Sequence, residues 1–299
     1  MFPILPANSA TAASGNQEGI FGFGSADGVT TNISNLISNT GVVSSDVAGV
    51  GTARVYLAAC EYGGDKGIFG FGNSEPSAVS ITNLVSDAGV VASDQAATTG
   101  TARNSLAACS YGGDKGIFGY GYIPSHTTIT NLVSNAGVVA SDVAGVGTAR
   151  EQPAACEYGG DKAIFGFGEP TTGVTNLVSN TGVVATDVAA VGTARQGVAA
   201  CGYGSDKGIF GYGTGAPSYV SMTNLVSNTG VVATDVTGVG TGRSLSAATQ
   251  YGEDKGIFGY GYSSVEVSMT NLVSNSGVVA TDVTGVGTAR RYLKGCSFN

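Results

Sequence analysis

The sequence predicts an all-β fold, a six-bladed β-propeller of four-stranded blades. A six-fold internal repeat, a composition of short apolar runs with many glycines, and a C-terminal segment that completes the first repeat all point there. The phrase GIFGFG or a close variant opens at Gly19, Gly67, Gly116, Ala163, Gly208 and Gly256, at spacings of 48, 49, 47, 45 and 48 residues. That period suits one four-stranded blade and exceeds that of the common helical repeats. Among 299 residues there are 49 glycines, no tryptophan and only 11% charged residues. This describes strands and tight turns without the long amphipathic pattern of helices.

One unit, Arg54 to Thr101, divides into four apolar runs of strand length. The first, YLAACEY, is rich in small residues, as expected of an innermost strand where six blades crowd together. The turn GGDKG leads into the second, GIFGFG, whose aromatics pack between blades while its glycines admit close backbone approach. The third, VSITNLVS, ends at Asp87-Ala88-Gly89, with glycine where a three-residue hairpin needs its left-handed residue. The fourth, VVASD, is expected as a short outermost strand before a link ending in Gly-Thr-Ala-Arg.

The first GIFGFG lacks a preceding inner strand, and the chain finishes with ARRYLKGCSF, which matches ARVYLAACEY. Residues 291–298 are therefore expected to supply the inner strand of the first blade and leave no unpaired sheet edge. Residues 18–299 form the expected propeller, and residues 1–17 lie outside the repeats as a strap or tail.

With 13 Lys and Arg against 21 Asp and Glu the formal charge is −8, which argues against nucleic acid or an anionic membrane as the main partner. The start, MFPILPANSATAASG, lacks the parts of a secretory signal, and no stretch has the length of a membrane span. Cys60, Cys109, Cys156, Cys201 and Cys296 fill one slot of the repeat, with Thr249 in the sixth copy. Equivalent slots ring an axis instead of facing each other, so these cysteines read as small buried hydrophobes, with a metal ring as the remote alternative. No cofactor motif is recognised.

Function is sought where the copies differ. The GGDK and NTG turns hardly change, whereas the connections between second and third strands read SADGVT, NSEPSAV, YIPSHTT, EPTTG, TGAPSYV and YSSVEV. The candidate binding residues are Glu75, Pro76, Tyr122, Ile123, His126, Tyr219 and Tyr262, whose exposed aromatics can stack on sugars or fill a partner's pockets. The bland alternative is a set of drifting solvent loops. Arg54, Arg103, Arg150, Arg195, Arg243 and Arg290 recur at one slot, either as a ring of guanidinium groups holding an anion or as structural pairs between blades. The structural reading is preferred, because each copy also carries an aspartate: Asp46, Asp94, Asp142, Asp187, Asp235 and Asp282. The Asp-Lys pairs, from Asp65-Lys66 to Asp254-Lys255, read as solvated turn residues.

Catalysis finds little support. His126 is the single histidine, and no Cys-His, Ser-His-Asp or metal-ligand spacing occurs. Glu157 and Asp161 read as repeat positions facing a tight turn, and no charged, non-repeating cluster at the channel mouth is expected. A non-enzymatic protein is the expectation.

The succession of an arginine, a small-residue strand, a Gly-Gly turn, an aromatic-glycine strand and a third strand ending in a polar turn resembles kelch repeats over nearly the whole chain. Gly70-Phe71-Gly72 stands where kelch repeats have a glycine pair, and Thr82-Asn83 at the place of their tyrosine. The near-identical copies, down to TNLVSNTGVVATDV, and the start MFPILPANSA look like the kelch-like arrays of tailed bacteriophages. That resemblance implies a virion protein of the tail, a fibre or the surface, bound to other virion proteins through residues 1–17 and facing a host glycan or protein. A free bacterial lectin-like or protein-binding propeller is the alternative.

Overall fold

The computed structural model describes residues 17–215 and 218–299. The strap expected at residues 1–17 lies outside the described residues except for Gln17. The described residues are all β, with no helix, and build six three-stranded antiparallel sheets and three two-stranded ones in the connections between second and third strands. Sheet 2 is Ala58–Tyr62, Lys66–Gly70 and Thr82–Val85. Sheet 3 is Ala107–Tyr111, Lys115–Gly119 and Thr130–Val133. Sheet 4 is Ala154–Tyr158, Lys162–Gly166 and Thr175–Val178. Sheet 5 is Ala199–Tyr203, Lys207–Gly211 and Thr223–Val226. Sheet 6 is Ala247–Tyr251 and the longer strands Lys255–Tyr262 and Glu266–Val273. Sheet 1 takes its first strand from the other end of the chain: Lys294–Phe298 pairs with Glu18–Gly22, which pairs with Ser34–Ile37.

The second strand explains how the sheets stack. Ile and Phe of GIFG point to opposite sides, as successive strand residues must, and both sides are buried. Ile68 joins the cluster with Leu106 and Phe118 of sheet 3, whereas Phe69 joins that with Ile20 and Phe298 of sheet 1. Six such clusters link sheets 1 and 2, 2 and 3, 3 and 4, 4 and 5, 5 and 6, and 6 and 1. The glycine after each Phe receives the next sheet's ring. A Cβ on Gly22 would stand 2.9 Å from Phe69, and one on Gly259 would stand 2.6 Å from Phe21.

The cysteine slot has the same logic. All five cysteines are buried and unbridged. A Cβ added to Gly116 would lie 2.6 Å from Cys60 Sγ, and one on Gly67 would lie 2.5 Å from Cys296 Sγ, so small residues meet there by steric necessity. In sheet 4 the glycine is replaced by the fully buried Ala163, which shares a cluster with Cys109.

Two expectations need correction. The fourth run does not form a strand: it touches the third through isolated bridges only, such as Ile37↔Val43 and Ser34↔Val47. A side chain has taken over part of the backbone ladder, because the buried Asn83 amide donates to Ala92 O at 3.0 Å and to Asp94 Oδ1 at 2.9 Å. The other five asparagines of this slot repeat both bonds, as at Asn35, Asn176 and Asn224. In sheets 1 to 5, though not in sheet 6, the second strand also stops sooner than GIFGFG suggests. Its last aromatic, in sheets 1 to 6 Phe23, Phe71, Tyr120, Phe167, Tyr212 and Tyr260, has φ between 61° and 64°. Left-handed backbone is unfavourable for a bulky residue by about 1–3 kcal/mol and persists only where surroundings enforce it. An arginine stacks on each of these rings.

Candidate functional site

The repeated arginines are fully buried and structural. Arg195 stacks over Phe167 of the preceding sheet, with Cζ 4.6 Å from the ring centroid. Its Nε donates to Tyr212 O at 3.0 Å and Nη2 to Asn224 Oδ1 at 2.7 Å, and Nη1 lies 3.5 Å from Asp235 Oδ1. One guanidinium therefore joins two sheets, using both its flat face and its donor fork. Burial drives its pKa down to about 10, opposed by the charge of Asp235, so it remains the cation at neutral pH. Asp235 also accepts from Thr193 N–H and Oγ, the latter at 2.7 Å. Burial works against the carboxylate, yet these bonds and Arg195 together hold it below its usual range. Nothing of these arginines reaches solvent, which removes the open anion ring; the Arg195 hydrogen bonds and aspartate contact stay within its own sheet, and the link expected between sheets is carried instead by the stack on the preceding sheet's ring.

The seven candidate binding residues fall into three places. Glu75 and Pro76 form the exposed tip of the hairpin Asn73–Ser74/Ser77–Ala78. Tyr122 is bridged to His126 across the connection of sheet 3, their rings 5.9 Å apart edge to face, with Ile123 between them in sequence. Tyr219 of sheet 5 and Tyr262 of sheet 6 come together from separate connections, with centroids 5.9 Å apart. Only this last pair brings two sheets to one spot.

From Tyr262 the contacts continue through residues the sequence reading passed over. Arg291 Cζ lies 4.6 Å from the Tyr262 ring and 5.1 Å from that of Tyr292, and Tyr292 packs on Tyr56 at 4.0 Å. Glu266 fixes the arginine, with Oε1 3.2 Å from Nε, while its other oxygen accepts from Asp27 N–H at 2.7 Å. Tyr219, Tyr262, Arg291, Tyr292 and Tyr56 thus make one partly exposed ladder across sheets 5, 6, 1 and 2. Burial, then the hydrogen bond with Tyr292, pushes the Tyr56 phenol well above its usual range.

The ladder ends where the first strands of all six sheets meet. At one slot before each first strand stand Tyr56, Ser105, Gln152, Gly197, Leu245 and Tyr292, with φ from 50° to 62°. Their backbones bond from sheet to sheet: Ser105 N–H donates to Tyr56 O at 2.8 Å, Gln152 to Ser105 at 2.7 Å, Leu245 to Gly197 at 2.9 Å and Tyr292 to Leu245 at 3.0 Å. Five non-glycine residues held left-handed are strained backbone gathered in one place. The signal was present in the sequence, since this column differs in nearly every copy, but it hides beside the uniform Ala-Ala-Cys run.

Glu157 does not face a turn. With Glu61 it lines the space between the first strands, at the end away from Tyr56, in a column that reads Glu61, Ser110, Glu157, Gly202, Gln250 and Ser297. Burial, reinforced by the charge of Glu157, raises Glu61 to about 8, and Ser297 Oγ lies 3.1 Å from its Oε2. Burial raises Glu157 as well. Lys294 stands nearer the other end. These three ionisable residues break the repeat, contrary to the expectation that no such cluster lines the space between the first strands.

No protein-family model matches the chain, and neither does any curated protein.

Proposed function

We propose that the chain is a six-bladed β-propeller of kelch-like blades and a non-enzymatic virion component of a tailed phage, set in the tail, a fibre or the surface. It presents its variable-connection face to a host glycan or protein. The cyclic linkage of six clusters and the pairing of Lys294–Phe298 with Glu18–Gly22 support the propeller. The observation that carries binding is the Tyr219–Tyr262–Arg291–Tyr292–Tyr56 ladder, a partly exposed aromatic surface built from residues that depart from the repeat. Stacked tyrosines around an arginine suit sugar rings and the planar groups of a protein partner alike. The virion assignment rests on the resemblance of the near-identical copies to phage arrays.

Immuno-electron microscopy and a glycan array test the two halves of the reading. The expected result is label on virions, together with glycan or host-surface binding that Tyr219→Ala and Tyr262→Ala weaken about tenfold or more. Label confined to soluble monomer overturns the virion half. Retained glycan binding by that monomer would then favour the free lectin-like propeller, for which the Tyr219–Tyr262 pair is the specific argument.

A further inference from the structure

Beneath the Tyr56–Tyr292 contact lies a cavity of about 30 Å³ lined by residues of all six sheets, mostly apolar, among them Leu57, Leu106, Val198 and Leu245. A second cavity of about 40 Å³, walled largely by alanines, shares two polar residues with it, Ser246 and Lys294. Each is large enough for a water or two, or for a group of a few atoms.

Both polar residues are singular. Lys294 occupies the slot held by Ala58, Ala107, Ala154, Ala199 and Ala247 in the other sheets. Ser246 occupies the slot of Leu57, Leu106, Pro153, Val198 and Leu293. Ser246 is 2% exposed, and its hydroxyl has no hydrogen-bond partner among the described residues. Lys294 has neither an ion pair nor a side-chain hydrogen bond among them, and burial pushes its pKa down to about 8 with no opposing charge to hold it up. Arg291 is occupied by Glu266, and Glu61 is engaged by Ser297 at the far end of the strands. The buried Ser246 hydroxyl, left without a partner, is unfavourable unless something completes it, and the partly exposed Lys294 beside it has no counter-charge among the described residues. Five sheets show that alanine fits the lysine slot.

We propose that these joined cavities bind a small organic carboxylate, with Lys294 Nζ as counter-charge, Ser246 Oγ donating to a carboxylate oxygen, and the organic remainder lying against the Tyr56–Tyr292 stack. Two donors match the two oxygens of a carboxylate, whereas a phosphate would leave oxygens facing apolar walls. The site depends on the cavity and not on where the protein is assembled.

Isothermal titration calorimetry on the full chain tests this with acetate and benzoate, their neutral amides acetamide and benzamide, and inorganic phosphate. The carboxylates are expected to bind saturably at one site, benzoate more tightly than acetate through the tyrosines, and the amides and phosphate at least about tenfold more weakly. Lys294→Ala, which installs the residue of the other five sheets, should lose at least about tenfold in carboxylate affinity, and Ser246→Ala several-fold. No saturable carboxylate binding by the parent chain overturns the proposal, as does equal affinity for acid and amide. Undiminished binding by a cooperatively folding Lys294→Ala would do the same. Should Lys294→Ala fail to fold, the acid-to-amide ratio in the parent and the loss in Ser246→Ala decide.

Discussion

The two ends of the strands obey different rules. At the GGDK end every copy repeats the same bonds: Gly63 N–H donates to Asp114 O of the next sheet at 2.8 Å, Gly112 to Asp161 at 2.7 Å, Gly159 to Asp206 at 2.7 Å and Gly204 to Asp254 at 2.7 Å. The chain termini complete the series, Gly252 N–H reaching Gln17 O at 2.9 Å and Asn299 N–H reaching Asp65 O at 3.0 Å. Asn299 has φ 69°, matching the 68° of Gly63, so the last residue takes the glycine's part. At the opposite end the backbone is as regular, with its left-handed slot in each sheet, yet the side chains there are Tyr, Ser, Gln, Gly, Leu and Tyr. Uniform side chains mark where sheets must lock to one another. Divergent side chains on the same backbone mark where the frame leaves chemistry free to vary.

The largest way to break this contrast is to remove Arg291–Asn299. Sheet 1 then loses its first strand and sheet 2 its Cys296 and Phe298 contacts. The expected outcome is loss of the cooperative thermal transition by circular dichroism, and an unchanged melting temperature would contradict the closure. Next comes Arg195→Ala, which strands Asp235 and Asn224 and uncovers the left-handed Phe167; it should cost ~3 kcal/mol or more in denaturant unfolding. Arg195→Lys should recover only part of that, because an ammonium lacks the flat face and the fork. Tyr219→Ala at the divergent end should stay within about 0.5 kcal/mol of the parent.

Gly116→Ala sharpens the comparison within the frame. Its methyl would stand 2.6 Å from Cys60 Sγ, but Ala163 fills the same slot beside Cys109 in sheet 4, so a loss of no more than about 1 kcal/mol is expected, relieved in the Cys60→Ala background. The frame also responds to pH. Glu61 is raised from 4.5 to about 8, so its neutral form is favoured in the folded state; its contribution is full below about 4.5 and is lost as pH rises through about 8. The aspartates that bond the repeated threonines, Asp46 and Asp94 among them, are lowered below 3.8, so their contribution is present above that value and is lost on further acidification. Melting temperature should therefore be highest near pH 4–5 and fall toward pH 9, and Glu61→Gln should flatten the alkaline decline.

Most of the frame was readable because it is written six times. The positions of the first three strands and the partnership of the last strand with the first GIFG follow from the columns of the repeat. The fourth run was misread because VVASD has strand composition, and nothing local reveals that Asn83 will answer Ala92 O with its side chain. The left-handed aromatics escaped notice because Phe71 is a good strand residue whose conformation is imposed by Arg103, 32 positions later in sequence, stacking at 4.5 Å. Of the candidate site, Tyr219 and Tyr262 were legible as exceptions in a variable connection. Tyr56, Arg291, Tyr292, Ser246 and Lys294 were not, because they border the most uniform run of the unit and are gathered only when the first strands of all six sheets converge.

Hydrogen exchange read by mass spectrometry tests the central claim most directly, that the last strand closes the frame as an equal of the five internal ones. The amides of Lys294–Phe298 should exchange as slowly as those of Ala107–Tyr111 and Ala154–Tyr158, and in the same cooperative opening. Fast exchange confined to Lys294–Phe298, with the internal first strands still protected, would contradict it.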